Sequence, residues 1–565
     1  MPLDALVTGR IATLADHAPD GFGWVEAIGI RDGRVAFAGS EVELETRADP
    51  HTERIVLEPD QVAIPGLTDA HLHLAIAGIA AQDIDLHGTN SVEDGMALVR
   101  SAHQRLSDPD AWLEGFGWDT DRWGRWPTAD DLEAVAPGRR VALWAHDHHA
   151  LLVSHAALRS GAVDRDAADP PGGVIRRNDD GSSPTGVLLE AAARLVSVHI
   201  PPPGQADVEE GIVAIARDLL SLGVVACHDP GFVSPDPELA GSFPAYARLA
   251  DSGRLPIRVH ASLRDDALSA AIERGIRSGR PLGERPDSRA RVGWLKLFAD
   301  GSLGSRTAAL LEDYEDEPDR PLVTDRRRGV WMTEPAELEE LVQRAAAGGI
   351  VTQIHAIGDA AVRAALDILE RAGGSAAGGS AAGGSTAGAG MMRRIEHAQM
   401  IAPDDVHRFA SAGIAASVQP VHLRTDAPGA RRAWGERAER EAFAWTAIVE
   451  DGGVLAFGTD APVEPYDPWP GIAISVARAD ASWGGDAAVF GPHEALPLAR
   501  ALRAACVDPA IAAGEMDRGR LTVGQRADLV VLPAAALAEP VVPGGPLATA
   551  RPDMVLVDGG VVFER

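Results

Sequence analysis

Short apolar runs alternate with helical stretches through the middle of this 565-residue chain. The alternation is typical of βα units, whose strands pair in parallel and whose helices cover the sheet. Eight such runs are enough to close a barrel. We therefore predict an α/β protein built on a (β/α)8 TIM barrel. The predicted barrel strands are Ala63–His73, Val224–Asp229, Ile257–Leu263, Val292–Asp300, Ile350–Ile357, Arg394–Gln399, Ile414–Gln419 and Val454–Thr459.

Both ends of the chain contain short segments in which apolar residues alternate with polar ones. Near the N-terminus, Trp24–Ile30 and Arg34–Ala38 flank a tight turn, and near the C-terminus Met554–Phe563 contains the turn at Asp558–Gly560. Alternation around turn residues is typical of antiparallel hairpins. Since the two ends share it, we predict one small β-sandwich assembled from both termini.

The predicted domain bounds follow from this division. Residues 1–64 and 499–565 are assigned to the sandwich, and residues 65–498 are assigned to the barrel. The range 499–565 is predicted to begin with the last helix of the chain. The gap between the first two barrel strands holds an insertion at about residues 76–200, which we expect to form a cap over the barrel mouth. A repetitive stretch of glycine, alanine and serine at residues 372–390 is typical of a flexible loop.

The charge balance of the chain argues against two classes of binding partner. Lysine and arginine number 52 and aspartate and glutamate 83, which gives a formal net charge of −31. A surface this acidic repels phosphate backbones and anionic lipids, so we expect no nucleic-acid or membrane partner. The only cysteines, Cys227 and Cys506, exclude a disulfide framework. Because the chain shows neither a signal-peptide pattern nor a run of eighteen apolar residues, we expect a cytoplasmic protein.

Potential metal ligands stand at or near the carboxyl ends of four predicted barrel strands. His71 and His73 end the first strand, and both face one interior because alternate side chains of a strand point to the same side. His355, His397 and Asp460 end three further strands, at the face where barrel active sites are built. A His-x-His pair alone is equally compatible with two unrelated polar residues. Four histidines and an aspartate buried at one level would be costly without a metal, and imidazole nitrogen suits Zn²⁺ and its neighbours.

Lys296 is the only lysine in the chain, and every other residue with a permanently basic side chain is arginine. It lies in the apolar run Val292–Asp300, where a buried ammonium tends to lose its proton. A neutral lysine amine is a nucleophile, whereas arginine stays protonated, so this position has a reason to keep lysine. The alternative is a structural ion pair with Asp300.

These six residues, the four histidines, Lys296 and Asp460, resemble the ligand set of the amidohydrolase superfamily. The closer resemblance is to amidohydrolase family 3, which contains the N-substituted formamide deformylases, and it covers nearly the whole chain. Two features depart from the family pattern: its usual Asp-Gly-His reads Asp147-His148-His149 here, and the stretch at 372–390 looks like an insertion. Other family-like segments are Gly117–Asp119, Pro184–Glu190, Lys296–Ser302, Gly304–Ala308, His355–Asp359 and Gly458–Pro462.

The resemblance implies a hydrolase that uses one or two Zn²⁺ or similar divalent ions. It further implies that CO₂ adds to the Lys296 amine, giving a carbamate that bridges two metals. One metal would be held by the His-x-His pair with Asp460, and the other by His355 and His397. Asp460 would serve as general base for the attacking water and return the proton to the leaving nitrogen. The expected reaction is hydrolysis of an amide-type C–N bond in a small molecule.

Substrate contacts are predicted at Asp119, His149, Glu190 and Arg306, which lie in or beside the family-like segments. For each of them a structural role, such as a salt bridge in a loop, is equally compatible with the sequence. Rival activities are hydrolysis of a cyclic amide, an ester or a carbamate on the same site, and a deaminase is favoured less. A catalytically silent barrel with a regulatory role is a further alternative. A homo-oligomer is left open.

Overall fold

The computed structural model describes residues 3–81, 83–106, 108, 110–145, 150–170, 173–178, 181–202, 204–231, 242–304, 306–316, 327–374, 390–483 and 489–565. The chain divides into two compact units. The first comprises residues 1–75 and 213–565, and the second comprises residues 76–212. Within the described ranges, no helix combines the length and the apolar character needed to cross a bilayer.

The centre of the first unit is a parallel sheet of eight strands in the order β19-β18-β17-β16-β15-β14-β13-β6. Hydrogen bonds from Ala70 N–H to the Phe457 carbonyl (2.8 Å) and from Asp460 N–H to the His71 carbonyl (2.6 Å) join its two edge strands. These bonds confirm the predicted (β/α)8 barrel. Its strands are β6 (Leu67–Asp69), β13 (Val224–Asp229), β14 (Arg258–Arg264), β15 (Ala290–Phe298), β16 (Thr352–Ala356), β17 (Arg393–His397), β18 (Ile414–Val418) and β19 (Leu455–Phe457).

Helices follow the barrel strands, as parallel pairing requires, because each crossover must return the chain to the same end of the sheet. Gly349 ends one of them in the left-handed conformation (φ 76°), three residues before β16 begins. The helices of this part of the chain are α8 (Gln205–Ser221), α9 (Phe243–Asp251), α10 (Leu268–Glu273), α11 (Pro335–Gly348), α12 (Asp359–Gly374), α13 (Val406–Ser411), α14 (His422–Trp434), α15 (Glu436–Glu441), α16 (Trp445–Glu450), α17 (Pro468–Ala477), α18 (Leu498–Cys506) and α19 (Asp508–Ala512).

The two ends of the chain form one further sheet of eight strands in the first unit. The path runs β22-β21-β20-β5-β1-β2-β3, and β4 pairs with β1 as a branch. Apolar residues from both termini share one core, in which Val7, Ile30, Leu529 and Leu556 are buried. The strands are β1 (Ala5–Ala12), β2 (Trp24–Arg31), β3 (Arg34–Gly39), β4 (Glu53–Val56), β5 (Gln61–Pro65), β20 (Leu529–Pro533), β21 (Met554–Val557) and β22 (Gly560–Glu564), with helix α1 at Glu41–Glu45.

The first predicted barrel strand is divided between these two sheets. Residues Gln61–Pro65 pair with β20 of the terminal sheet, and only Leu67–Asp69 pair with the barrel strand β13. Gly66 separates them at a close approach, since a Cβ there would lie 2.6 Å from a methyl carbon of Val225. The prediction of one continuous strand over Ala63–His73 was therefore wrong in its bounds.

The second unit has its own sheet, in the order β11-β12-β10-β9-β8-β7. Trp118 and Trp123 are buried in the core of this unit. Its strands are β7 (Ile84–Asp85), β8 (Leu113–Trp118), β9 (Val141–Ala145), β10 (Ala150–Val153), β11 (Gly173–Arg177) and β12 (Pro184–Glu190). The helices are α3 (Val92–Arg105), α4 (Thr120–Trp123), α5 (Ala129–Val135), α6 (His155–Ser160) and α7 (Arg194–Ser197), and α2 (Leu74–Ala80) enters the unit from the barrel.

Most of the predicted loop at 372–390 lies outside the described residues. Its first three residues continue α12, which ends at Gly374. The cap-like role predicted for residues 76–200 stays a prediction.

Candidate metal centre

A buried carboxylate, Asp69, fixes the edge at which the barrel closes. One of its oxygens accepts hydrogen bonds from the backbone N–H groups of His71 (3.0 Å) and Thr459 (3.1 Å). The other accepts the Thr459 hydroxyl at 2.6 Å. Burial raises the pKa of Asp69 to about 6 in spite of these bonds. This clamp holds the ends of β6 and β19 together, so that the residues following the two strands are brought side by side.

The residues brought together in this way form the first ligand group. Asp460 Oδ1 lies 3.3 Å from His71 Nε2 and 3.4 Å from His73 Nε2. His71 and Asp460 are buried, and the side chain of His73 is 15% exposed. One ligand atom from each of the three lies within 4.8 Å of the other two. Two imidazoles and one carboxylate are the protein donors of many catalytic zinc sites, which keep a fourth position open.

A second group shares Asp460 with the first. His397, His422 and Asp460 each offer one ligand atom, again within 4.8 Å of one another, and all three residues are buried. The His422 Nε2 atom lies 3.6 Å from Asp460 Oδ2. His397 ends β17, whereas His422 is the first residue of α14, just beyond β18.

Backbone strain marks both groups. His397 has φ 71° and Asp460 has φ 61°, and Ala398 next to His397 has φ 42°. Residues other than glycine seldom adopt this left-handed region, and such residues cluster at functional sites. The barrel framework therefore holds two of the candidate ligands in conformations that they would not choose in an unconstrained loop.

Glu396 and Arg394 hold His71 of the first group in position through hydrogen bonds. The Glu396 carboxylate accepts a hydrogen bond from His71 Nδ1 at 2.5 Å, which leaves His71 Nε2 directed towards Asp460. Arg394 donates from Nε (2.9 Å) and Nη2 (3.0 Å) to the same carboxylate, and Nη2 also reaches the Ala70 carbonyl at 2.7 Å. Burial alone would raise the pKa of Glu396, but Arg394, His71 and Lys296 outweigh it and lower that pKa. A carboxylate behind the histidine fixes the tautomer that a metal ligand needs.

Burial and the neighbouring charges together decide the protonation of the histidines. Burial lowers the pKa of His355 to about 3 and the pKa of His397 far below its usual value. For His71, burial and Lys296 lower the pKa, but Glu396 and Asp460 outweigh them and raise it. The two neutral imidazoles can offer a lone pair to a metal without first losing a proton.

Lys296 lies on β15 and is fully buried. Burial lowers its pKa to about 8 against the attraction of Glu396 and Asp460, so a substantial fraction of the amine is neutral near pH 7 to 8. Its Nζ atom lies 4.8 Å from the centre of the Phe298 ring. No Lys296–Asp300 ion pair is present among the described residues. Both oxygens of Asp300 instead accept backbone N–H groups of the loops beside β15 and β16, at 2.8–3.0 Å.

The buried polar atoms that lack partners fit a metal centre. Among the described residues, His73 Nδ1, His397 Nδ1, His422 Nε2 and Lys296 Nζ are buried and have no hydrogen-bond partner. Each such group costs free energy unless something satisfies it, and a bound ion is one established reason for its retention. The donor set of imidazoles and a carboxylate suits Zn²⁺ and similar divalent cations.

Comparison with known proteins shows the family of this chain. The model of a family described as "Amidohydrolase family" matches residues 60–563, which is most of the chain. The chain belongs to the amidohydrolase family.

Similar proteins extend over nearly the full length of this amidohydrolase. The putative amidohydrolase YtcJ of Bacillus subtilis is 30% identical over 544 residues, 96% of each chain. The N-substituted formamide deformylase of Arthrobacter pascens is 26% identical over 90% of each chain. A solved structure of an uncharacterized metal-dependent hydrolase from Pyrococcus furiosus is 27% identical with a TM-score of 0.72, covering 94% of this chain and 98% of that one.

Four of the six predicted ligands of this amidohydrolase lie in the two groups. His71, His73 and Asp460 lie together, and His397 joins Asp460 in the second group. His355 belongs to neither group among the described residues. Its Nε2 atom lies 3.0 Å from the Gly301 carbonyl, although its ring centre is 4.4 Å from that of His397.

Of the predicted substrate contacts, Asp119 and Arg306 have described side chains. The Asp119 carboxylate accepts the Arg122 N–H at 3.4 Å at the start of α4. Arg306 pairs with Asp316 at 2.5 Å and donates to the Leu303 carbonyl at 2.7 Å. His149 and the side chain of Glu190 lie outside the described residues, although the backbone of Glu190 belongs to β12.

Sequence reasoning did not assign a role to His422, Glu396 or Arg394. A histidine four residues after a barrel strand, in Gln419-Pro420-Val421-His422, is a signal that could have found the first of them. For Glu396 and Arg394, the signal is their period of two along β17, which turns both side chains into the barrel interior.

Proposed function

We propose that this amidohydrolase hydrolyses an amide-type C–N bond of a small molecule in a metal-dependent reaction. The group formed by His71, His73 and Asp460 carries the proposal, because its ligand atoms converge within 4.8 Å where β6 and β19 end. We propose an N-substituted formamide as the first candidate substrate class, since the chain is similar to a formamide deformylase over 90% of both sequences. Acid and amine would be the products.

The metal we propose is Zn²⁺ or a similar divalent ion, in one or two equivalents. When bound, it would polarise the substrate carbonyl and lower the pKa of a water molecule towards ~7. His71 Nε2, His73 Nε2 and Asp460 Oδ1 would hold it, since these three atoms already face one another.

Side chains of the protein would perform the remaining steps of the proposed reaction. Glu396 holds the His71 ring by its Nδ1–H, so that Nε2 stays directed towards Asp460. Asp460 is the proposed general base, which takes a proton from the attacking water and returns it to the leaving nitrogen. His355 and His397 remain neutral, so each ring keeps one nitrogen whose lone pair can bind a metal.

We also propose that Lys296 carries a carbamate. The nitrogen of the neutral amine forms a bond to the carbon of CO₂ as one C–O π bond opens, and one N–H proton passes to solvent, so a neutral amine becomes an anionic carbamate. A buried amine with a pKa of about 8 and no hydrogen-bond partner in the described part of the chain is suited to this reaction. The new carboxylate would offer two oxygens to cations in the barrel.

The same groups could hydrolyse a cyclic amide, an ester or a carbamate. The alternative outside the enzymes is a catalytically silent barrel with a regulatory role. A silent barrel gains nothing from strained, buried and unpartnered ligands, and each of these features is costly. The roles of Asp119, His149, Glu190 and Arg306 as substrate contacts stay predictions, as does the cytoplasmic location.

A substrate panel with and without a chelator tests this proposal. Purified protein is assayed with N-substituted formamides, lactams, esters and carbamates, then again after metal removal and after metal is restored. We expect formamide or other amide cleavage that chelation abolishes and added Zn²⁺ restores. Turnover that survives complete metal removal would contradict the metal dependence. Esters cleaved faster than any amide would overturn the assignment of bond type.

A further inference from the structure

A cavity of about 380 Å³ lies at the amino end of the barrel strands, within the first unit. Arg258 is the first residue of β14 and Arg291 is the second residue of β15, so both lie at the end of the barrel opposite the metal centre. The terminal sheet also contributes to the lining, since Asp558 lies in the turn between β21 and β22. The proposed hydrolysis does not use this cavity, whose volume is within the range of small-molecule sites.

The lining of the cavity is rich in cations, although the chain as a whole is acidic. Five arginines line it: Arg258, Arg285, Arg289, Arg291 and Arg526. The carboxylates of the lining are three, on Asp287, Glu515 and Asp558. In a chain with a formal net charge of −31, an excess of cations around one cavity is the opposite of the average surface. Such an excess attracts anions, and cavity walls of low dielectric constant strengthen the attraction.

One carboxylate serves three of these arginines. Asp558 Oδ1 lies 2.5 Å from Arg258 Nη2 and 2.8 Å from Arg526 Nη1, and Oδ2 lies 3.5 Å from Arg289 Nη2. Burial alone would raise the pKa of Asp558, but the three arginines outweigh it and lower that pKa. Burial lowers the pKa of Arg289, and the nearby Arg258 guanidinium lowers it further because the two charges repel. A further anion in the cavity would relieve this repulsion.

Two other arginines of the lining are weakly paired. Arg291 Nε lies 3.9 Å from Glu515 Oε1, beyond hydrogen-bonding distance, and Arg291 Nη1 donates to the Gly279 carbonyl at 3.0 Å. Arg285 pairs with Asp287 at 3.2 Å, but the two side chains are 53% and 72% exposed. Ion pairs as exposed as this contribute little, because water screens them. Both guanidinium groups can therefore turn to a stronger anionic partner at small cost.

Unsatisfied polar atoms adjoin the cavity at Glu515. His260 Nε2 lies 3.9 Å from Glu515 Oε1, and Arg518 Nε donates to the Glu515 carboxylate. His260 Nε2 and Arg518 Nη2 are both buried, and neither has a hydrogen-bond partner among the described residues. Buried polar atoms without partners cost free energy unless water or a ligand reaches them. A polar occupant beside Glu515 could supply the missing partners.

The best-paired arginines of the lining serve the structure. Arg258 also contacts Asp528 at 2.8 Å, and Arg526 also contacts Asp517 at 3.3 Å. We propose that the remaining three arginines of the lining bind a small molecule through a carboxylate or phosphate group. The planar guanidinium presents paired N–H donors that match both of these oxyanions. The site contains no proposed metal ligand, so this inference goes beyond the proposed function and does not depend on it.

Calorimetric titration with inorganic phosphate and with succinate tests the site. Full-length wild-type protein, Arg291→Gln, Arg285→Gln and Arg165→Gln are titrated as purified, at constant ionic strength. Arg165, in the second unit, is the matched control because its side chain is 75% exposed. Wild type and the control are expected to bind one equivalent of at least one of the two anions. The Arg291 and Arg285 variants should each bind at least ~10-fold more weakly, because one charged hydrogen-bond donor is lost.

The two anions distinguish the sources of the oxyanion. Saturation by phosphate alone would indicate a phosphate ligand, saturation by succinate alone would indicate a carboxylate ligand, and either result supports the proposal. Wild-type protein that is saturated by neither anion up to ~10 mM would overturn it. Unchanged affinity in the folded lining variants would also overturn it, since the anion would then bind elsewhere. Arg285→Gln alters a half-exposed side chain, so that a folding defect in Arg291→Gln does not decide the result. No outcome depends on amide hydrolysis, so failure here leaves the proposed function intact.

Discussion

Replacing Asp460 by asparagine is expected to lower kcat by at least ~10²-fold, the usual scale for the loss of a positioned acid–base group. The substitution keeps the size of the side chain but removes its charge and its basic oxygen. Burial would raise the pKa of Asp460, but His71, His73 and His397 outweigh it and hold the pKa well below its usual value. The wild-type carboxylate is therefore ionised throughout the neutral range, and asparagine cannot replace it as a proton acceptor.

Metal occupancy must be measured beside the rate, because Asp460 is also a proposed ligand. Asp451→Asn, at an exposed carboxylate shortly before β19, is a matched control that should retain both rate and metal. If Asp460→Asn were fully metallated and nearly as active as wild type, the role of general base would pass to another group.

Lys296→Arg is expected to lose one metal equivalent and most activity. Arginine preserves the positive charge and roughly the length of the side chain, and it is the residue this chain uses at every other such position. It cannot form the carbamate, because the guanidinium stays protonated. The permanent positive charge would then face the cations instead of an anionic carbamate. Elemental analysis and the amide assay on the same preparation measure both losses.

The Lys296→Ala variant distinguishes a carbamate on Lys296 from a Lys296 that serves only as a structural cation. Short carboxylic acids added to this variant should restore part of its activity, because they can occupy the place of the missing carbamate. Arg264→Lys, at the residue paired with Lys296 in the neighbouring strand, is the control and should retain its metal. A structural cation predicts the reverse pattern, in which Lys296→Arg is tolerated and acids rescue nothing. A fully metallated and active Lys296→Arg protein would overturn the carbamate.

Much of the barrel could be predicted from the sequence, because a parallel strand is buried on both faces and its sequence is therefore a continuous apolar run. β13 at Val224–Asp229 matches its prediction to the residue, and every residue in it is buried. The first strand was predicted less well. Its apolar run continues from one sheet into another through Pro65 and Gly66, and hydrophobicity does not distinguish the two sheets that bury it.

The site was less predictable than the fold where it depends on approach between distant segments. His71 and His73 could be recognised from their His-x-His spacing at the end of a predicted strand, although they lie just beyond Asp69, where β6 ends. His422 was not assigned, since its approach to Asp460 at 3.6 Å joins the start of a helix after β18 to a residue after β19. Glu396 was hidden for another reason: it stands beside His397 in sequence, but its partner is His71, 325 positions away.

Anomalous diffraction at the zinc edge from crystals of the active, wild-type protein tests the central claim most directly. The structure predicts a peak bounded by His71 Nε2, His73 Nε2 and Asp460 Oδ1, since these atoms already converge there. The same crystals should lose both peak and activity after chelation. Crystals of protein that cleaves its substrate, with no anomalous peak between these three residues at any accessible metal edge, would contradict the account.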